Sequence, residues 1–270
     1  MGNEQGNRQM VNRQAAEANS VLEMAILSVI GDRKDQQDTF VYHMTDGGGI
    51  FAVCDGMGGH EGGQLASRTA ADYLLECCGL DRLPEDPMPL LLETARGMDR
   101  RVSQLSYPDG TPMKAGTTMA AVVVQDQQLY WISVGDSRVY LKRGHEFLQV
   151  TFDHIYQSVL DENLEAGEIT RQEYETESQR GEALISFIGL GELKLIDYND
   201  TPLSLQKDDL ILIMSDGLYK MVTDEEINRI IENFSNIKEA LQALDMKAQK
   251  NAKNRALSRD NMTAALIKIK

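Results

Sequence analysis

Four aspartates stand at the ends of short apolar runs, each beside a residue that turns the chain. Asp55 closes Ile50-Phe51-Ala52-Val53-Cys54 and is followed by Gly56. Asp136 follows Ile132-Ser133-Val134-Gly135, while Asp216 follows Ile211-Leu212-Ile213-Met214-Ser215 and precedes Gly217. Asp260 stands before the last apolar run, in Arg259-Asp260-Asn261. A carboxylate on the end of a rigid strand is a hard oxygen donor of the kind divalent cations take. A glycine after it lets the backbone turn and lets its own carbonyl approach a cation. One Asp-Gly is ordinary turn chemistry, but recurrence at several strand ends argues for a shared ion-binding cleft. The run Asp55-Gly56-Met57-Gly58-Gly59-His60-Glu61-Gly62-Gly63 could instead cradle a phosphate at a helix start. It lacks the GxGxxG spacing and the P-loop lysine, and Asp55 would repel a nucleotide phosphate unless a metal intervened. Dinucleotide binding is a poor reading.

These residues need strands to carry them, and the pattern supplies strands. Runs over 40–44 and 50–54 read as a pair joined by Asp46-Gly47-Gly48-Gly49. A helix is expected over 64–78, with Leu65, Thr69, Tyr73, Leu74 and Cys77 on one face. A second is expected over 89–105, with Pro89 in its first turn and Leu91, Ala95, Met98, Val102 and Leu105 as its stripe. Strands over 119–124, 129–134, 138–142 and 147–151 follow on short connections, which favour antiparallel pairing. The stretch 153–181 is polar and rich in glutamate, and reads either as a mobile excursion over a site or as a solvated helical insertion. A strand over 209–214, helices over 223–233 and 236–250, and a strand over 262–269 complete the chain. The expected class is α+β with two mainly antiparallel sheets. Residues 1–20, polar and without aromatics, read as a flexible tail before a single domain over 21–270.

Composition narrows the function classes. The 270 residues hold 42 acidic against 27 basic side chains, a formal net charge of -15 that repels nucleic acid and anionic membranes. Three cysteines, Cys54, Cys77 and Cys78, have no disulfide framework and no CxxC pair, so a reducing compartment is expected and structural zinc is not. No signal pattern opens the chain and no apolar stretch is long enough for a bilayer, so a cytoplasmic protein is expected.

Six motifs occur in a fixed order. They are Gly31-Asp32-Arg33-Lys34-Asp35-Gln36-Gln37-Asp38, Asp55-Gly56-Met57-Gly58-Gly59-His60 and Ala115-Gly116-Thr117-Thr118, then Gly135-Asp136-Ser137-Arg138, Ser215-Asp216-Gly217 and Arg259-Asp260-Asn261. Together, over roughly 26–269, they resemble the PPM family of metal-dependent serine/threonine phosphatases in its short bacterial form. The resemblance implies two antiparallel sheets sandwiched between helix pairs, with Mn²⁺ or Mg²⁺ in the cleft between the sheets. It implies that Asp55 bridges two ions, that the Gly56 carbonyl completes one with Asp38 in support, and that Asp216 and Asp260 hold the other. Asp136, with Asp216 shared, matches the place of a weaker third ion, and Arg33 matches the grip on the substrate phosphate. Arg33, Asp55 and Asp216 would carry the catalytic step, by a metal-activated water and without a protein nucleophile.

The chain departs from the family pattern at Gln37, where glutamate is frequent, and at Met57, where some members place a histidine acid. His60 is displaced from that place and reads as a loop histidine, while Cys54 reads as core packing and His154 as structural. The stretch 153–181 matches the family's flap, where substrates are selected. Phosphoproteins modified by a serine/threonine kinase are the expected substrates. The rival readings are a phosphatase of small phosphomonoesters and a pseudophosphatase that binds without turnover; the second would be expected to lose metal aspartates, which this chain keeps.

Overall fold

Between Gly48 and Met57 the side chains alternate across a sheet with both faces covered. Ile50, Ala52 and Cys54 enter one buried cluster, and Phe51 and Val53 enter another. A strand buried on both faces belongs to the centre of a layered structure, and the rest of the chain builds the layers around it.

The computed structural model describes residues 13–270. The first strands are β1 (Arg13–Ala18), β2 (Leu22–Val29), β3 (Asp38–Thr45) and β4 (Gly48–Met57). Two helices follow, α1 (His60–Cys78) and α2 (Met88–Ser103). Then come β5 (Gly116–Thr117), β6 (Met119–Gln125), β7 (Gln128–Val134), β8 (Arg138–Arg143) and β9 (Glu146–Gln149). The polar stretch contains α3 (Tyr156–Glu165) and α4 (Arg171–Glu177). Short strands β10 (Asp197–Tyr198) and β11 (Leu203–Ser204) lead to β12 (Leu210–Met214). The chain closes with α5 (Asp216–Tyr219), α6 (Asp224–Asn233), α7 (Ile237–Arg255) and β13 (Met262–Ile269).

One sheet runs β1-β2-β13-β12-β8-β9 and the other β10-β7-β6-β4-β3, all pairs antiparallel. Three apolar layers hold four structural layers together. Ala66, Ala70, Leu74, Leu91 and Met98 of α1 and α2 cover the outer face of the β4 sheet. Val122, Phe51, Ile213 and Ile267 fill the space between the sheets. Ile227, Leu241 and Leu244 of α6 and α7 cover the outer face of the β13 sheet against Leu212 and Leu266. This is the α-β-β-α sandwich.

Three expectations change. Arg13–Ala18 is not tail: it pairs along β2 from Arg13 opposite Ser28 to Ala18 opposite Glu23, and residues 1–12 of the expected tail lie outside the described residues. Helix α1 starts at His60, four residues before the expected start. Its buried face is Ala66, Ala70, Ala71, Leu74 and Cys78, with Leu65 exposed, because small alanines let the helix sit close on β4. Among the described residues no helix is long and apolar enough to cross a membrane.

Candidate active site

Antiparallel pairing brings the five aspartates to one edge of the sandwich. Asp38 opens β3 and lies opposite Asp55 of β4 in register. In the other sheet Met214 pairs with both Ala264 of β13 and Arg138 of β8. The end of β12, the start of β13 and the start of β8 therefore meet, and carry Asp216, Asp260 and Asp136 to that place. A cleft of about 620 Å³ opens there, lined among others by Arg33, Asp55, Asp136, Asp216, Lys220 and Asp260. Gly56 also lines it, and Asp38 lies buried at its base.

Crowding of like charges dominates the electrostatics. Burial pushes Asp38 up to about 7, helped by the charges of Asp216 and Asp260 and opposed by hydrogen bonds from Ser215 and Thr263. Burial also carries Asp55 well above the usual carboxylate range, with the charges of Asp38, Asp216 and Asp136 adding to it. Asp136 is pushed up to about 6, chiefly by burial and then by Asp216. Asp38 Oδ2 accepts a hydrogen bond from Ser215 Oγ at 2.7 Å, whereas Asp38 Oδ1 and Asp216 Oδ1 are buried without a partner. Two orphaned carboxylate oxygens in an all-oxygen, strongly anionic cleft fit a hard divalent cation. Among the described residues no three such side chains already close into a ligand shell. Side-chain cations pair with two of the carboxylates. Arg33 Nη2 lies 2.5 Å from Asp260 Oδ2, and Lys220 Nζ lies 2.7 Å from Asp216 Oδ2.

A pH effect follows for protein stripped of divalent ions. The folded state keeps protons on Asp38 and Asp136 that the unfolded chain releases above 3.8. Stability contributed by these groups is complete below pH 3.8 and is lost as pH rises to about 7 for Asp38 and about 6 for Asp136. Melting temperatures in chelator should fall across that window relative to those of an Asp38→Asn, Asp136→Asn variant. Parallel curves for the two proteins would refute the assignment.

The supports lie in residues whose motif membership was visible but whose work was not. Thr118 donates its N–H to the Asp55 carbonyl at 2.8 Å and accepts the Asp55 N–H on Oγ1 at 3.0 Å. Asn261 accepts from Gln37 N at 2.7 Å and donates to the carbonyls of Ile30 and Asp35, joining the β13 loop to the loop that carries Arg33. Gly31, at φ +65°, completes that junction, since a Cβ there would lie 2.2 Å from the Asp260 carbonyl oxygen. A Cβ on Gly56 would lie 2.0 Å from the Gly63 carbonyl oxygen, so the glycine-rich run seats α1 on β4 rather than cradling phosphate. His154 accepts the Gly135 N–H on Nδ1 at 3.1 Å and so braces the turn that holds Asp136. The His60 side chain lies outside what the structure describes. Cys54 is buried among apolar neighbours with its thiol pushed up to about 12, by burial first and then by Asp38 and Asp55, which leaves it no thiolate for attack. Lys220 gave no sequence signal beyond its place four residues after Asp216.

Residues 28–257 match the sequence profile described as Protein phosphatase 2C. The chain belongs to the protein phosphatase 2C family. PhpP, a protein phosphatase of Streptococcus pneumoniae, is 28% identical over 251 residues, covering 91% of this chain and 97% of its own. MsPP, a PPM Ser-Thr phosphatase of Mycobacterium smegmatis solved with cacodylate, is 28% identical and superposes with a TM-score of 0.71 over 93% of this chain and 100% of its own. The catalytic domain of the serine threonine phosphatase PstP, solved with 2 manganese ions, is 25% identical with a TM-score of 0.72 over 92% of this chain and 98% of its own.

In this phosphatase 2C chain the polar stretch 153–181 stands on a closed neck. The N–H groups of Tyr156 and Gln157 donate to the carbonyls of Ala183 and Gly181, and Ile185 N–H donates to the His154 carbonyl. Arg138 grips Asp153 at 2.6 Å on one side of the neck, both side chains mostly buried, with its guanidinium 3.6 Å over the Tyr219 ring. Lys220 reaches Glu182 at 3.3 Å on the other side, where Glu182 is 82% exposed. The excursion is thus the helical insertion, α3 and α4, beside the cleft. Thr170 caps α4 in a reciprocal box with Glu173.

Proposed function

We propose that the chain hydrolyses phosphoserine and phosphothreonine on proteins, acting in the cytoplasm on targets of a serine/threonine kinase. The observation that carries this is the convergence of five aspartates, two of them (Asp38 and Asp216) with an unpartnered buried oxygen, beside an arginine at the cleft mouth. Asp38, Asp55 and the Gly56 carbonyl would hold one core ion, and Asp55, Asp216 and Asp260 the other. Mn²⁺ or Mg²⁺ bound there supplies positive charge and lowers the pKa of water. Arg33, 56% exposed on its side chain and paired with Asp260, can turn its fork to an arriving phosphate. The Thr118 backbone N–H and Oγ1 fix the Asp55 main chain, and the Ser215 hydroxyl donates to the Asp38 carboxylate, so both residues are held in place before charge develops.

The test uses purified protein on a phosphothreonine peptide and on an aryl phosphate, with Mn²⁺, with Mg²⁺ and with EDTA. Peptide hydrolysis restored by either ion and abolished by EDTA supports the reading. Hydrolysis of aryl phosphate alone would make it a small-ester phosphatase. Tight peptide binding without turnover would make it a binding protein.

A further inference from the structure

The corner between Asp136 and Asp216, where the sequence resemblance places a weaker third ion, already contains a cation of the chain's own. Lys220 Nζ donates to Asp216 Oδ2 at 2.7 Å and lies 3.3 Å from Glu182 Oε2. The ammonium is partly withdrawn from solvent, the Lys220 side chain being 33% exposed, and it faces two carboxylates at once. Asp136 is held from the other side, its Oδ2 accepting the Tyr219 hydroxyl at 3.1 Å. The Tyr219 ring in turn lies under Arg138.

Lys220 differs from Arg33, another cation lining the cleft. Arg33 belongs to a loop, and its side chain can leave Asp260. Lys220 is one helical turn after Asp216, and its N–H donates to the Asp216 carbonyl at 3.0 Å, so backbone geometry returns the ammonium to that carboxylate. A divalent ion sharing Asp216 and Asp136 would meet a like charge on the same carboxylate.

We propose that Lys220 is a built-in counter-cation that takes the place of a third divalent ion at the Asp136–Asp216 corner, so that this chain works with two ions. The inference rests on the two-ion reading above. Removing the ammonium opens the corner to a third ion; replacing it with a carboxylate builds a site for one.

The experiment counts Mn²⁺ per chain by equilibrium dialysis with atomic emission, alongside calorimetric titration, on the full chain. Wild type should take two ions. Lys220→Gln and Lys220→Asp should take three, the last about tenfold weaker than the core pair, and Asp136→Asn added to Lys220→Asp should return the count to two. Lys220→Arg, which keeps the charge, should stay at two. Three ions on wild type, with one lost in Asp136→Asn, would overturn the inference without any lysine variant, so a variant that fails to fold leaves it testable. Two ions on both Lys220→Gln and Lys220→Asp would also overturn it. A wild type that takes none sinks the two-ion reading itself and the inference with it.

Discussion

Asp55→Asn is expected to lower phosphopeptide turnover by about 10³-fold or more, with the fold intact. Asp55 faces the carboxylates of Asp38, Asp216 and Asp136, and is the one assigned to both core ions. Removing the charge of a shared ligand weakens both ions together, and the several kcal/mol of electrostatic stabilisation that they supply to a phosphoryl transition state goes with them. The amide has the shape of the carboxylate and leaves the Thr118 hydrogen bonds to the Asp55 backbone in place. Removing one negative charge from a crowded anionic cleft relieves repulsion, so metal-free protein should melt no lower than wild type. Turnover on a phosphothreonine peptide, read beside the melting temperature in EDTA, separates lost chemistry from lost structure. A folded variant within threefold of wild type would remove Asp55 from the reaction.

Arg33→Ala is expected to act mainly on KM, with a loss of about 1.5–3 kcal/mol in kcat/KM, the range for a hydrogen bond to a charged group. The side chain stands at the cleft mouth with its fork on Asp260, and its loop is joined to the Asp260 loop through Asn261. Substituting alanine removes the phosphate grip and also frees Asp260 from its partner. Mn²⁺ affinity should therefore hold or rise while peptide affinity falls. Arg33→Lys should recover only part of the loss, since an ammonium cannot reproduce the planar fork. An unchanged kcat/KM would take Arg33 out of the site.

Much of this was legible before any coordinates, and the failures have physical reasons. Strand alternation and turn residues place β3, β4, β6, β7, β8, β12 and β13 correctly, because a strand buried between layers must be apolar on both faces. The edge strand β1 has no such requirement: Arg13-Gln14-Ala15-Ala16-Glu17-Ala18 contains no β-branched or aromatic residue, and β2 alone makes it a strand. Gly62 and Gly63 concealed the first turn of α1, since glycine reads as a helix breaker and here serves a close backbone approach to β4. All the aspartates singled out in the sequence reach one edge, because their signal is local: an apolar run, a carboxylate, a turn. The contacts that hold them cross between sheets, Ser215 to Asp38 over 177 residues and Asn261 to Gln37 over 224. Such pairs leave no periodic trace. Lys220 belongs to the same class, an ordinary surface lysine until the fold places it in the cleft.

The closed neck of the polar stretch makes that segment a detachable module. Its two ends are hydrogen-bonded to each other before α3 begins and after α4 is done, so they already meet at a fixed separation. Whatever hangs between them adds only the entropy of a longer loop, about 0.6 kcal/mol for each doubling in length. The lobe can therefore change in length or sequence, residue by residue or wholesale, while its two ends keep the same anchorage.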